Sequence, residues 1–253
     1  MCIPTDQPYQ TLTFESKGTT FQDVTRTADC RIVSVTPSNN EFTIRAVVTL
    51  KDYTFVRQRS TPDKGNLPGN IAPYLMEDLN KQSKSPKLVK LAAQLKSDTP
   101  ATTIQNISKW LTTNIQYKYD PATWKYKQLD ELLDRGYTEC NGFSNLSTAL
   151  CRNCGLPTRM AWGVCKSAAP IREHPAGTFI SHNWNEVYLV GTGWVPFDVL
   201  DQTAKFSVVP KNHLRICPIG LGQADTVESL GFALHNFSQM TGGSSIPKYE
   251  AIP

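Results

Sequence analysis

The stretch Tyr137–Arg159, YTECNGFSNLSTALCRNCGLPTR, constrains the chain more than any other. Phe143, Leu146, Ala149, Leu150 and Cys154 recur at helical spacing, which predicts one amphipathic helix with a single apolar stripe. Thr138 is the expected N-cap, and Gly155 with Pro157 two residues later is a stop signal. Cys140 therefore falls in the first turn, where unpaired backbone N–H groups and the macrodipole favour an anion. A helix N-terminus or a neighbouring imidazolium lowers a thiol from its ordinary pKa of about 8.5. Cys140 is thus a candidate nucleophile. A cysteine standing alone is more often a small buried hydrophobe, so the residues downstream decide between the two.

Those residues are His182 to Asp198, HNWNEVYLVGTGWVPFD. His182, Trp184, Glu186 and Tyr188 alternate with Asn183, Asn185, Val187 and Leu189, the period of a strand. Gly191-Thr192-Gly193 makes a turn, and Trp194–Phe197 starts a second strand. A hairpin of this length brings Asp198 back beside His182. Cysteine, histidine and carboxylate are the parts of a nucleophile–base–orienter relay. The thiolate attacks, the imidazole moves the proton, and the carboxylate holds the imidazole in one tautomer.

The segment around Cys140, then CGLPTR, HNWNEVYL and GWVPFD in that order, resemble the transglutaminase-like superfamily, and the resemblance covers residues 73–210. It implies a papain-related cysteine-enzyme core, with Cys140 as nucleophile, His182 as base and Asp198 as orienter. It also implies helices ahead of the catalytic helix. In some members an aromatic residue upstream of the cysteine donates to the oxyanion, and Tyr117 is the candidate here. The other aromatics of that loop, Tyr119 and Trp124, are expected to pack on the core. Glu139 and Trp184 are placed at the cleft. Many members have Gly or Gln just before the cysteine, where this chain has Thr138 and Glu139. A carboxylate facing the sulfur disfavours the thiolate by like charge.

Composition excludes some partners. Lys and Arg number 26 against 22 Asp and Glu, a net charge of +4 with no basic run, so there is no nucleic-acid footprint. No apolar run approaches a transmembrane span. The start, MCIPTDQPYQ, does not read as a signal peptide. That makes the cytoplasm the default location, the alternative being a mature exported protein or a lipoprotein with Cys2 at its start. Seven cysteines leave at least one outside any intrachain pairing. Cys151 and Cys154 form a CxxC that raises a zinc reading with Cys165 and Cys217. The pair lies inside the expected helix, without the knuckle spacing of zinc sites, and reads instead as core-facing small hydrophobes. No metal and no organic cofactor is expected, and no calcium loop of the EF-hand type is present.

Residues 1–60 read as a β-rich N-terminal extension. Its strands are Tyr9–Phe14, Cys30–Thr36 and Glu41–Thr49, with Pro37–Asn40 turning between the last two and Tyr53–Arg57 continuing the sheet. TPDKGNLPGNIAP, residues 61–73, is a boundary loop. Ser85-Pro86 and Thr99-Pro100 each open an amphipathic helix with proline in the first helical position. Gln128–Arg135 is a short helix ended by Gly136, and Thr158–Val164 is a strand. Residues 211–253 form a C-terminal segment packed on the core, with a strand at Asn212–Cys217. His174, His213 and His235 have no partner at metal spacing in the sequence, and Glu186 reads as solvated or ion-paired.

The expected fold is α+β: a papain/transglutaminase-like core with helices packed on an antiparallel sheet, preceded by the β-rich unit. The expected chemistry is acyl transfer on amide or peptide bonds of a peptide or protein substrate, through a thioester on Cys140. Hydrolysis by a peptidase or amidase is the first reading. Transamidation by an amine acceptor is the second, and a non-catalytic binding module is the third.

Overall fold

The computed structural model describes residues 2–26, 29, 31–38, 42–51, 53–54, 67–76, 83–120, 128–166, 176–201, 208–209 and 213–219. Trp124, His174, His235 and the tail beyond residue 219 lie outside these residues. The chain divides into two compact units. The first gathers Met1–Asp52, Trp162–Ser181 and Lys211–Pro253; the second gathers Tyr53–Ala161 and His182–Pro210.

The first unit is built of strands β1 (Cys2–Ile3), β2 (Gln10–Lys17), β3 (Thr19–Arg26), β4 (Arg31–Pro37) and β5 (Thr43–Leu50). β4 lies between β1 and β3, and β2 pairs antiparallel with β5 from Gln10↔Leu50 to Lys17↔Thr43. The strands on either side of Pro37 go to different partners: β4 joins β3 and β5 joins β2. One expectation is corrected here. Of the expected strand Tyr53–Arg57 the described residues are Tyr53 and Thr54, and these do not continue this sheet: as β6 (Tyr53–Thr54) they pair with β12 (Val208–Val209) in the second unit. β13 (His213–Ile219) is tied to β2 by one buried side chain. The Gln10 amide donates to the Arg215 carbonyl at 2.9 Å and accepts the Arg215 N–H at 3.0 Å. It thereby supplies both partners that a neighbouring strand would.

The second unit holds the helices α1 (Pro86–Leu95), α2 (Pro100–Asn114), α3 (Leu129–Arg135) and α4 (Cys140–Asn153). Ser85 caps α1 by accepting the Leu88 N–H, and Thr99 caps α2 by accepting the Thr102 N–H. Each proline stands where the helix has no bond to lose. Leu88 and Ala92 of α1, and Ile104, Ile107 and Leu111 of α2, are buried. α1, α2 and α3 all pack on α4, whose Phe143, Leu146, Ala149 and Leu150 are the expected stripe and are buried. The two-residue strands β7 (Gln116–Tyr117) and β8 (Tyr137–Thr138) form a parallel bridge with Tyr117 opposite Thr138. The bridge ties the end of α2 to the start of α4.

The longer strands are β9 (Thr158–Lys166), β10 (Phe179–Leu189) and β11 (Gly193–Phe197). β10 and β11 form an antiparallel hairpin from Leu189↔Gly193 to Asn185↔Phe197, and β9 flanks β10 on the other side. The α+β class read from the sequence holds. Among the described residues, no helix is long and apolar enough to cross a membrane.

Candidate active site

The helix that carries Cys140 starts one residue later than its expected cap. Thr138 belongs to β8, and the N-cap is Glu139. The longer carboxylate reaches back over the first turn. Its Oε2 accepts the Asn141 N–H at 2.8 Å and its Oε1 accepts the Gly142 N–H at 3.2 Å. A carboxylate here meets two unpaired donors and the positive end of the macrodipole, which offsets the low rank of Glu as a cap. The Thr138 side chain packs instead against Gly142. A Cβ on Gly142 would lie 1.9 Å from Thr138 Oγ1 and 2.7 Å from its Cβ and Cγ2. At the other end, Gly155 adopts φ +86°, and the Leu156 N–H returns to the Cys151 carbonyl. That is the glycine-ended stop expected from the sequence.

Cys140 is the first residue of α4 and is largely buried. Its thiol donates to Glu139 Oε2 at 3.3 Å. Glu139, itself buried, therefore serves three donors at once: two backbone amides and the sulfur. Tyr117 lies beside this turn, because its backbone pairs with Thr138 and its ring stacks on Phe143 with centroids 6.3 Å apart. Tyr117 and Tyr119 are both exposed, Tyr119 contrary to the expectation that it packs on the core.

The hairpin supplies the other groups. The tight turn at Gly191–Gly193 sets the register, and that register carries the chain back so that Asp198 follows Phe197, opposite Asn185. Asp198 Oδ1 accepts the Leu200 N–H at 2.9 Å, which fixes the carboxylate by a local turn. Its Oδ2 meets His182 Nε2 at 2.6 Å. An ionised carboxylate only accepts, so the imidazole donates from Nε2. Both side chains are buried, where a charge-assisted hydrogen bond is short and strong. Trp184 is buried and stacks beside His182, with ring centroids 6.0 Å apart and planes 26° from parallel. It packs against the imidazole.

Glu186 is not solvated. It is buried and ion-paired with Arg159 at 2.7 Å, and the Arg159 guanidinium lies 4.0 Å over the Trp194 ring. Cys151 on α4 and Cys154 at its C-cap are buried, and the Cys154 thiol donates to the Ala92 carbonyl at 3.4 Å. Burial pushes the Cys154 thiol up to about 11, and pushes Cys151 further still with the help of Cys154's own charge.

Sequence reasoning missed the polar side of α4. Ser144, Ser147 and Thr148 are buried and face Asn185 of β10. Asn185 meets the hydroxyls of Ser147 and Thr148 and the backbone carbonyl of Ser144; the two hydroxyls were visible in the sequence, but polar residues on a helix ordinarily mark its solvated face.

Residues 89–199, which include α4 and the whole β10–β11 hairpin, match the family model described as the transglutaminase-like superfamily. Residues 89–199 are thus similar to the transglutaminase-like superfamily over somewhat less than half of the chain. The fold is similar to that of a solved structure described as a candidate cysteine protease from Cytophaga hutchinsonii. The two share 20% identity at a TM-score of 0.62, with 88% of this chain and 75% of that chain covered. The periplasmic domain of TgpA from Pseudomonas aeruginosa aligns at 16% identity and TM-score 0.45, over 80% of this chain and 73% of that one. Red sea bream transglutaminase aligns at 10% identity and TM-score 0.41, over 83% of this chain and 49% of that one. No curated protein matches the chain significantly.

Proposed function

We propose that the chain is a cysteine-dependent enzyme that cleaves amide or peptide bonds through a thioester on Cys140, with residues 73–210 as its catalytic core. The observation that carries the reading is the buried 2.6 Å bond between His182 and Asp198. A histidine held this way has its tautomer and ring orientation fixed, and the imidazolium formed during proton transfer keeps a counter-charge. That arrangement serves proton transfer to and from a nucleophile, and Cys140 leads the helix in the same unit.

In this reading the Cys140 proton passes to His182 and the sulfur attacks the substrate carbonyl carbon. The carbonyl oxygen becomes an oxyanion, stabilised by the Cys140 backbone N–H and by the Tyr117 hydroxyl. The C–N bond then breaks, and the leaving amine takes the proton from His182. Water attacks the thioester, gives a proton to His182, and the S–C bond breaks to release a carboxylic acid. The proton returned by His182 restores the thiol. A peptide or protein is the expected substrate, because the linkage attacked is an amide.

Intact-mass analysis after incubation with a peptide library, with and without a primary amine, tests the reading. Fragment pairs whose masses sum to the substrate plus one water, or a side-chain amide converted to the acid with loss of ammonia, support hydrolysis. Products that have lost ammonia and gained the amine indicate transamidation instead. Absence of both removes the enzyme reading, and the same products from Cys140→Ala remove the cysteine mechanism.

A further inference from the structure

The side chain of Asn185 joins the two elements on which the proposed relay is mounted. It is almost fully buried. Its Nδ2 donates to the Ser144 carbonyl at 2.9 Å and to Thr148 Oγ1 at 2.8 Å, and its Oδ1 accepts from Ser147 Oγ. Both amide donors are used and the oxygen is bonded, so the group is satisfied inside the protein. All three partners are on α4. Cys140, Ser144, Ser147 and Thr148 stand at i, i+4, i+7 and i+8, which is one face of a helix. Along the helix, Ser144 is about 6 Å from Cys140 at 1.5 Å per residue. Along the strand, His182 is about 10 Å from Asn185 at 3.3 Å per residue. The backbone of Asn185 pairs with Phe197, the neighbour of Asp198.

We infer that Asn185 is a positioning residue: its three hydrogen bonds fix the register of the Cys140 helix against the hairpin that carries His182 and Asp198. The inference rests on the relay proposed above. Apolar packing alone holds two elements together without specifying a register, since it is non-directional. A bidentate amide with three partners does specify one. Register matters because proton transfer demands reach, and a displacement of about 1 Å from a distant change can cost a hundredfold in rate.

A labelling cycle tests this. Iodoacetamide alkylation of Cys140, followed by peptide mass mapping, reads thiolate reactivity without any substrate. The rate is measured for the unaltered protein, Asn185→Ala, His182→Ala and the double variant, with a melting curve on each. Asn185→Ala is expected to slow labelling about tenfold, within the coupling range of residues that act together, and to have no further effect once His182 is absent. A structural role alone would not depend on His182. If Asn185→Ala does not fold, Ser147→Ala with Thr148→Val removes two of the three partners from the helix side and is read in the same way. A folded variant that labels at the unaltered rate, while His182→Ala is slow, overturns the inference and leaves the relay standing. If His182→Ala labels as fast as the unaltered protein, the relay falls and the inference with it.

Discussion

Glu186→Ala separates stability from chemistry within one strand. Glu186 is two positions from Trp184 and four from His182, and it is a carboxylate, so it competes with Asp198 for the role of orienter. The structure gives it another task. Glu186 and Arg159 are each 3% exposed and bonded at 2.7 Å, with the guanidinium over Trp194. Trp194 is itself held edge-on between Tyr74 and Tyr188, at 4.8 and 5.5 Å. Removing the carboxylate leaves a buried guanidinium without its ion-pair partner, which costs about 3–5 kcal/mol. At about 2–4 °C per kcal/mol for a domain of this size, the midpoint falls by about 6–20 °C. Replacing both members, Arg159→Met with Glu186→Leu, recovers most of the loss, because an apolar pair carries no desolvation cost. The assays are a melting curve and a single-turnover rate measured well below each midpoint. The rate per folded molecule is expected to be unchanged. A midpoint equal to that of the unaltered protein refutes the energetic argument. A folded Glu186→Ala protein without turnover refutes the assignment of the imidazole to Asp198.

Cys140→Ala is expected to abolish amide cleavage while shifting the melting curve little, whereas Leu146→Ala, at a fully buried position of the same helix, costs about 2–5 kcal/mol; a Cys140→Ala protein that still turns over ends the cysteine mechanism. Asp198→Asn is expected to keep the fold and lower kcat strongly, because an amide holds the ring but stabilises the imidazolium less; unchanged single-turnover kinetics would contradict it. Glu139→Gln removes the carboxylate beside the sulfur and weakens the cap by about 1 kcal/mol, so iodoacetamide should label Cys140 faster at slightly reduced stability, and an unchanged labelling rate would show that the thiol–carboxylate contact has no effect on reactivity. Burial raises the Cys154 thiol from 9.0 unfolded to about 11 folded, so its contribution is complete below pH 9, is lost as pH rises to about 11, and is constant beyond; chemical denaturation across that window should show a smaller decline in Cys154→Ala than in the unaltered protein.

What the sequence made legible was local. The stop of α4 needed only Gly155 and its neighbours, and the β10–β11 hairpin needed only the glycine turn between two alternating runs. The start of α4 was displaced by one residue because Thr outranks Glu as a cap by propensity. Once the fold had committed Thr138 to a bridge with Tyr117 and to contact with Gly142, the carboxylate next in line took the amides. Strand partners were less legible still. β6 pairs with β12 across more than half of the chain, and nothing in Tyr53-Thr54 specifies Val208-Val209. β3 went unread because its polar residues mask the alternation. In the candidate site, His182 and Asp198 could be brought together from the hairpin alone, whereas the thiol–Glu139 contact depends on a side-chain rotamer and Asn185 on the docking of a helix.

The contact between Thr138 and Gly142 ties together the fates of two positions flanking Cys140. A methyl group added at 142 would enter the volume of Thr138 Oγ1, Cβ and Cγ2, atoms too close to the main chain to swing aside. Any side chain at 142 therefore requires a smaller residue at 138, and the route through single substitutions passes first through a change at 138. A mutational library that varies the residues around Cys140 one at a time would score 142 as immutable, while a library that varies both together would recover it. In lineages that carry this turn the two positions are expected to change as a pair, with bulk on one side of the cysteine exchanged for bulk on the other.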